Sequence, residues 1–176
     1  MLSVAIPGAR LLRLSLAASS RGFNPLSYHC GSVWAHDTAI AIDGLARTPS
    51  VAARGAVNSL TEGLLSAAEA FRYRLPELYG GHERSRLEAP LPYPASCHPQ
   101  AWTAAAGIVV LTALLGIQPD VPAGTVRVGP PAVPTALRCV EGLRVGGSGT
   151  RVHIDADGVA RVAGLPPGLR VLADAL

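Results

Sequence analysis

The sequence predicts a mainly α chain that ends in a small β-rich appendage. Apolar residues recur at helical spacing in three segments before Leu115, and after Gly116 the texture changes to short alternating runs broken by Gly, Pro and Asp. Between the second and third segments lies a Pro- and Gly-rich connection, residues 74–98, longer than an ordinary helix-helix turn and therefore a candidate functional loop. Residues 1–117 read as the helical portion and 118–176 as the appendage.

The first helix is expected over Asp37–Ala46, with Asp37 or Thr38 as cap and Thr48-Pro49 closing it. The second runs over Val51–Tyr73 with Ser50 as N-cap. Val57, Leu60, Leu64 and Phe71 recur on one face, while Arg54, Asn58, Glu62 and Glu69 mark another. The third opens with Pro99 and ends at Leu115 with Gly116 as its stop; it is apolar on nearly every side, so it should be packed all round. Strands are expected over 125–128, 143–145, 150–154, 159–162 and 169–172. Asp155-Ala156-Asp157-Gly158 reads as a hairpin turn. Three helices, one of them apolar all round, cannot cover one another, which points to a partner or to a longer protein that supplies the rest.

Composition narrows the function classes. Hydrophobic residues make up 49% and charged ones 15%, a balance that argues against intrinsic disorder. The net charge of +3 comes from single, scattered arginines with no lysine, so no basic run exists of the kind nucleic acid or an anionic membrane would need. Residues 101–116 fall short of the ~20 apolar residues a bilayer span requires. Near the N-terminus, Arg10 and Arg13 interrupt the apolar stretch a signal peptide would keep whole. Cys30, Cys97 and Cys139 are an odd set better suited to reduced thiols than to a disulfide framework, and a cytoplasmic home is the expectation.

The chemistry is concentrated in three polar-aromatic stretches: residues 24–37 (NPLSYHCGSVWAHD), 74–81 (RLPELYGG) and 93–102 (YPASCHPQAW). Both tryptophans and most tyrosines and histidines lie in or beside them, the composition of a sugar-binding cleft. Trp34 and Trp102 offer flat apolar faces to a pyranose ring, although an aromatic on a buried helix is more often core, and Trp102 fits that role better than Trp34. Tyr28, His29 and His36 are hydroxyl partners or hydrogen-bonded packing residues. Asp37 either binds sugar or caps a helix. Cys30, His36, Cys97 and His98 carry zinc-ligand atoms, but their spacing matches no strong pattern, and no metal or other cofactor is expected. Ser32 with His36 and Asp37 lacks the strand-to-helix elbow of a nucleophile. The glycines at 142, 146, 147 and 149 precede no helix and make no phosphate loop.

These stretches resemble the C-terminal end of the catalytic domain in bacterial glycogen-debranching enzymes of the amylo-α-1,6-glucosidase type. That family's pattern runs roughly Asn-Pro-Met-Ser-Tyr-His-Asn-Gly-Ser-Val-Trp-Pro-His-Asp, then Arg-Leu-Pro-Glu-Leu-Phe, then Tyr-Pro-x-Ala-Cys-x-Pro-Gln-Ala-Trp. All three blocks occur here in order, within about residues 10–120, and Leu12-Arg13-Leu14-Ser15 resembles the sequence leading into the first. Cys30, Ala35 and Ala95-Ser96 depart from the pattern without removing an ionisable group.

The resemblance implies part of an (α/α)6 toroid whose loops form a funnel for an α-glucan or oligosaccharide, the missing helices coming from an N-terminal part of the barrel. It implies inverting hydrolysis of α-1,6-linked glucosyl residues by two carboxylic acids. Glu77 is the candidate general base, and the general acid would lie outside this chain. Tyr28, His29, Trp34, His36, Asp37 and Gln100 would shape the sugar site. Without function, Glu77 would be a loop carboxylate paired with Arg74, Arg84 or Arg86. The alternative for the whole chain is a non-catalytic remnant or a carbohydrate-binding fragment.

Overall fold

The computed structural model describes residues 16–83, 85–131 and 137–173. The stretch Leu12-Arg13-Leu14-Ser15 and Arg84 lie outside them. The chain divides between Val110 and Leu111 into two compact units. The described residues hold three helices and eight strands: β1 (Val33–Trp34), α1 (Ala35–Ala46), α2 (Val51–Ala70), β2 (Leu78–Tyr79), α3 (Ala101–Leu115), β3 (Ile117–Asp120), β4 (Thr125–Val128), β5 (Cys139–Val145), β6 (Ser148–Ile154), β7 (Ala160–Ala163) and β8 (Arg170–Ala173).

This is a mixed α/β fold, which corrects the expectation of a mainly α chain forming part of a toroid. Two physical reasons account for the difference. The polar-aromatic stretches are not loops alone, because β1 and β2 pair antiparallel through Val33 with Tyr79 and Trp34 with Leu78. The C-terminal region, in turn, carries most of the strands: it is a compact unit that builds two three-stranded sheets over an apolar cluster of its own. Only α1 and α2 pack extensively on each other among the described helices, so no ring of inner and outer helices is formed.

In the first unit, α1 begins two residues earlier than the sequence suggests. Trp34 is its N-cap residue and gives no side-chain cap; Thr38 Oγ1 instead donates to the Trp34 carbonyl at 2.8 Å. Asp37 thus sits within the first turn, where a carboxylate favours the helix dipole. Ser50 caps α2, its hydroxyl accepting from Ala53 N at 3.0 Å. That helix stops at Ala70, short of Tyr73, because Arg72 and Tyr73 take left-handed φ values of 53° and 59°. Ile42 of α1 and Val57, Leu60 and Leu64 of α2 are buried. Val33, Ala67 and Tyr79 make a second small core with Phe71 and Leu75 packed against it.

The first part of α3 is not packed all round. Thr103, Ala106 and Val110 are buried, whereas Trp102 and Ile108 are each 58% exposed. The apolar composition of that helix conceals an asymmetry that only its packing reveals.

The second unit is built on Leu115, Ile117, Val126, Val128, Val145, Val152 and Ile154. One sheet has the order β3-β4-β8, with β8 parallel to β4, and the other is the antiparallel meander β5-β6-β7. β3 is not evident in the sequence because Pro119 and Asp120 read as a turn; Pro tolerates an edge position, and β3 is an edge strand.

Asp155 locks the β6–β7 turn. Its Oδ1 accepts from Val159 N at 2.9 Å and Asp157 N at 3.1 Å, and its Oδ2 accepts from Arg161 Nε at 3.1 Å. The Val159 amide first, with the Arg161 guanidinium adding to it, holds the carboxyl below the ordinary carboxylate range. A depressed folded-state pKa gives stability that is present above the unfolded-state value and lost as pH falls through the folded one. Asp155→Asn is therefore expected to lower the melting temperature at neutral pH and to flatten its decline below about pH 4, as read by circular-dichroism melts across pH.

Candidate functional site

The three polar-aromatic stretches converge on Glu77. Pro76 through Gly81 are all buried, and Glu77 itself is only 7% exposed. Its backbone N donates to the Cys97 carbonyl at 3.0 Å, and Cys97 N returns a bond to Glu77 Oε2 at 3.3 Å. Ser96 Oγ accepts from Leu78 N at 3.3 Å and donates to the Leu78 carbonyl at 3.0 Å. The third stretch thus clamps the second in place. On the other side, Tyr28 Oη donates to Glu77 Oε1 at 2.8 Å, across 49 residues of sequence. A charge-assisted bond of this kind is among the stronger ones available to a carboxylate.

That bond also acts on the phenol. The Glu77 carboxylate accepts its proton and opposes a second negative charge, so the Tyr28 hydroxyl titrates above its ordinary value. Among the described residues no guanidinium pairs with Glu77, and Arg86 lies instead 3.5 Å from Glu83. A buried carboxylate held by neutral donors rather than by a cation can accept a further proton donor at its remaining lone pairs.

An aromatic wall surrounds this group. The Tyr28 ring meets Trp34 edge-on at 4.5 Å, His29 at 4.7 Å and Tyr93 at 6.0 Å. Trp34 is largely buried, its indole N–H donates to the Tyr28 carbonyl at 2.9 Å, and His29 stacks on it at 5.8 Å with planes 6° apart. Trp34 therefore serves as the support of the wall rather than an open platform. His36 packs between Trp34 at 5.8 Å and Trp102 at 4.7 Å. Its Nε2 lies 3.0 Å from Asp37 Oδ1, while its Nδ1 is buried with no partner among the described residues.

Gln100 stands apart from the carboxylate. Its Oε1 accepts from Trp102 N at 2.9 Å and so serves the start of α3. The structure joins Tyr28, Trp34 and Glu77 by hydrogen bonds, sets His29 against the Tyr28 and Trp34 rings, and links His36 and Asp37 to them through the Trp34 ring. The sequence favours core over sugar platform for Trp102 and does not mark Tyr93 as a site residue. Trp102 opens a helix at the end of the third stretch, and that position rather than its residue type is the signal that could have found it.

No family model and no curated protein matches this sequence. Among the described residues no helix is long and apolar enough to cross a membrane.

Proposed function

We propose that this chain carries the base-bearing part of a glycoside hydrolase acting on α-1,6-linked glucosyl residues of glycogen-like glucans. The observation that supports this most is the convergence on Glu77 of residues 24–37 and 93–102, the stretches that resemble the debranching family. Glu77 takes the proton of the attacking water, and Tyr28 and the Cys97 amide hold the carboxylate in one orientation. Exposed Tyr28, His29 and Trp102 offer rings to the sugar. The general acid comes from polypeptide outside these residues, and catalysis proceeds with inversion. The odd number of cysteines favours a cytoplasmic location.

The test uses α-D-glucosyl fluoride, whose leaving group departs as fluoride and needs no general acid. The chain should release fluoride from it faster than buffer does, and Glu77→Gln should reduce that rate by about 10² to 10⁴. Fluoride release at the buffer rate, or release indifferent to Glu77→Gln, would sink the hydrolytic assignment. Saturable binding of a malto-oligosaccharide without fluoride release would support the carbohydrate-binding alternative. That alternative rests on one observation: apart from Asp37, reached through His36, no second carboxylate joins the cluster among the described residues.

A further inference from the structure

A groove of about 410 Å³ lies in the first unit between the C-terminal half of α2 and the part of α3 up to Val110. A space of that size, with mostly apolar walls and a few polar groups, is typical of small-molecule sites. Leu64, Leu65 and Ala68 of α2 form one wall, and Ala104, Gly107 and Val110 of α3 form another. Leu65 is 56% exposed and Tyr73, also on the groove, 78% exposed, so apolar surface stands open to water in the free chain.

Polar groups collect where α2 has ended and α3 has yet to begin. Arg74, His98 and Gln100 line the groove there. Arg74 and His98 are exposed, so a ligand reaches them from solvent. Arg74 is the one permanent charge among the lining groups, no carboxylate lines the groove, and among the described residues its guanidinium has no ion pair. Gln100 commits its Oε1 to Trp102 N, which leaves the amide Nε2 as a donor. The groove is thus positive and rich in donors at one end and apolar along about 10 Å of α3, the rise from Thr103 to Val110. An anion with two acceptor oxygens and a hydrocarbon chain of that length complements both parts, and a guanidinium takes a carboxylate through two parallel bonds. An anionic membrane would instead call for a cluster of cations, which this groove lacks. None of these lining groups bonds to Glu77, so the site does not depend on the proposed hydrolysis.

We propose that this groove binds a medium-chain alkyl carboxylate, with the carboxylate accepting from Arg74 and the chain lying between Leu64, Leu65 and Ala68 on one side and Ala104 and Gly107 on the other. The probe is sodium octanoate, with hexanoate, 1-octanol and octylammonium chloride as its matches, titrated into the chain by calorimetry and by the amide chemical shifts of Ala68 and Gly107. Saturable octanoate binding is expected. Hexanoate should be weaker by about tenfold, because each buried methylene is worth roughly a factor of four. 1-Octanol should be weaker by about threefold, the scale of an exposed ion pair, and octylammonium weaker still. Arg74→Gln should remove the advantage of octanoate over 1-octanol and leave 1-octanol binding as it was. Gly107→Leu is the steric test. A Cβ there meets nothing within 4 Å, so the chain folds, and the leucine enters the groove and abolishes octanoate binding. No saturable octanoate binding would overturn the proposal. So would 1-octanol binding as tightly as octanoate, an Arg74→Gln chain that still prefers octanoate, or undiminished binding to Gly107→Leu. A dimer in which a second copy of the chain fills the groove and excludes octanoate would overturn it as well.

Discussion

Gly81→Ala is expected to destabilise the first unit by about 3 kcal/mol and to release Tyr28 from Glu77. A Cβ at position 81 would fall on the Gly31 carbonyl oxygen, which is backbone and cannot rotate aside. Gly81 N also donates to the Pro25 carbonyl at 2.8 Å, so the same seam ties the second stretch to the loop that carries Tyr28. To admit a methyl group the two segments must separate. The hydrogen bond from Tyr28 to Glu77 breaks as they do, and Tyr28 should then titrate closer to its ordinary value. Chemical denaturation gives the stability change, and alkaline ultraviolet titration gives the phenol. Gly44→Ala is the control: nothing lies within 4 Å of a Cβ there, and in the last turn of α1 alanine should stabilise by up to roughly 0.5–1 kcal/mol. A Gly81→Ala chain as stable as the original would mean that the seam is looser than described.

The second large effect lies in the other unit. Leu115→Ala should cost about 2–5 kcal/mol, because Leu115 is fully buried among Ile117, Val126, Val152 and Ile154 and leaves a cavity that both sheets border. Native domains have only about 5–15 kcal/mol in total, and small ones sit near the lower end. Both tryptophans lie in the first unit, at 34 and 102, so a probe within the second unit is the direct one for this change. Hydrogen exchange at Val152 and Ile154 supplies it, and their amide protection should fall. Unchanged protection at both would show that the apolar cluster does not depend on Leu115.

Local rules make much of the secondary structure legible. The Ser50 cap and the 3.6-residue recurrence of Val57, Leu60 and Leu64 lie close together in the chain, and α2 follows from them. The β6–β7 hairpin follows in the same way from Asp155 to Gly158. The end of α2 does not, because Arg72 and Tyr73 are ordinary residues in left-handed backbone, and no residue type announces that conformation. The same limit applies to β1 and β2: a two-residue ladder has no period of its own and exists only through its partner.

At the site, residue order alone supplies the inventory: one carboxylate flanked by Pro76 and Leu78, with rings before and after it. Packing sets how those groups are used. Trp34 reads as the better sugar platform, yet its indole N–H is committed to the Tyr28 carbonyl and its face to His29. Trp102 reads as a core residue, yet it is exposed beside His36. Tyr28 reads as a hydroxyl partner for sugar, yet its proton goes to Glu77. Composition fixes which donors, acceptors and ring faces exist. Which of them stay open to a ligand depends on contacts between residues dozens of positions apart, and those are set by how β1, β2 and the three stretches pack.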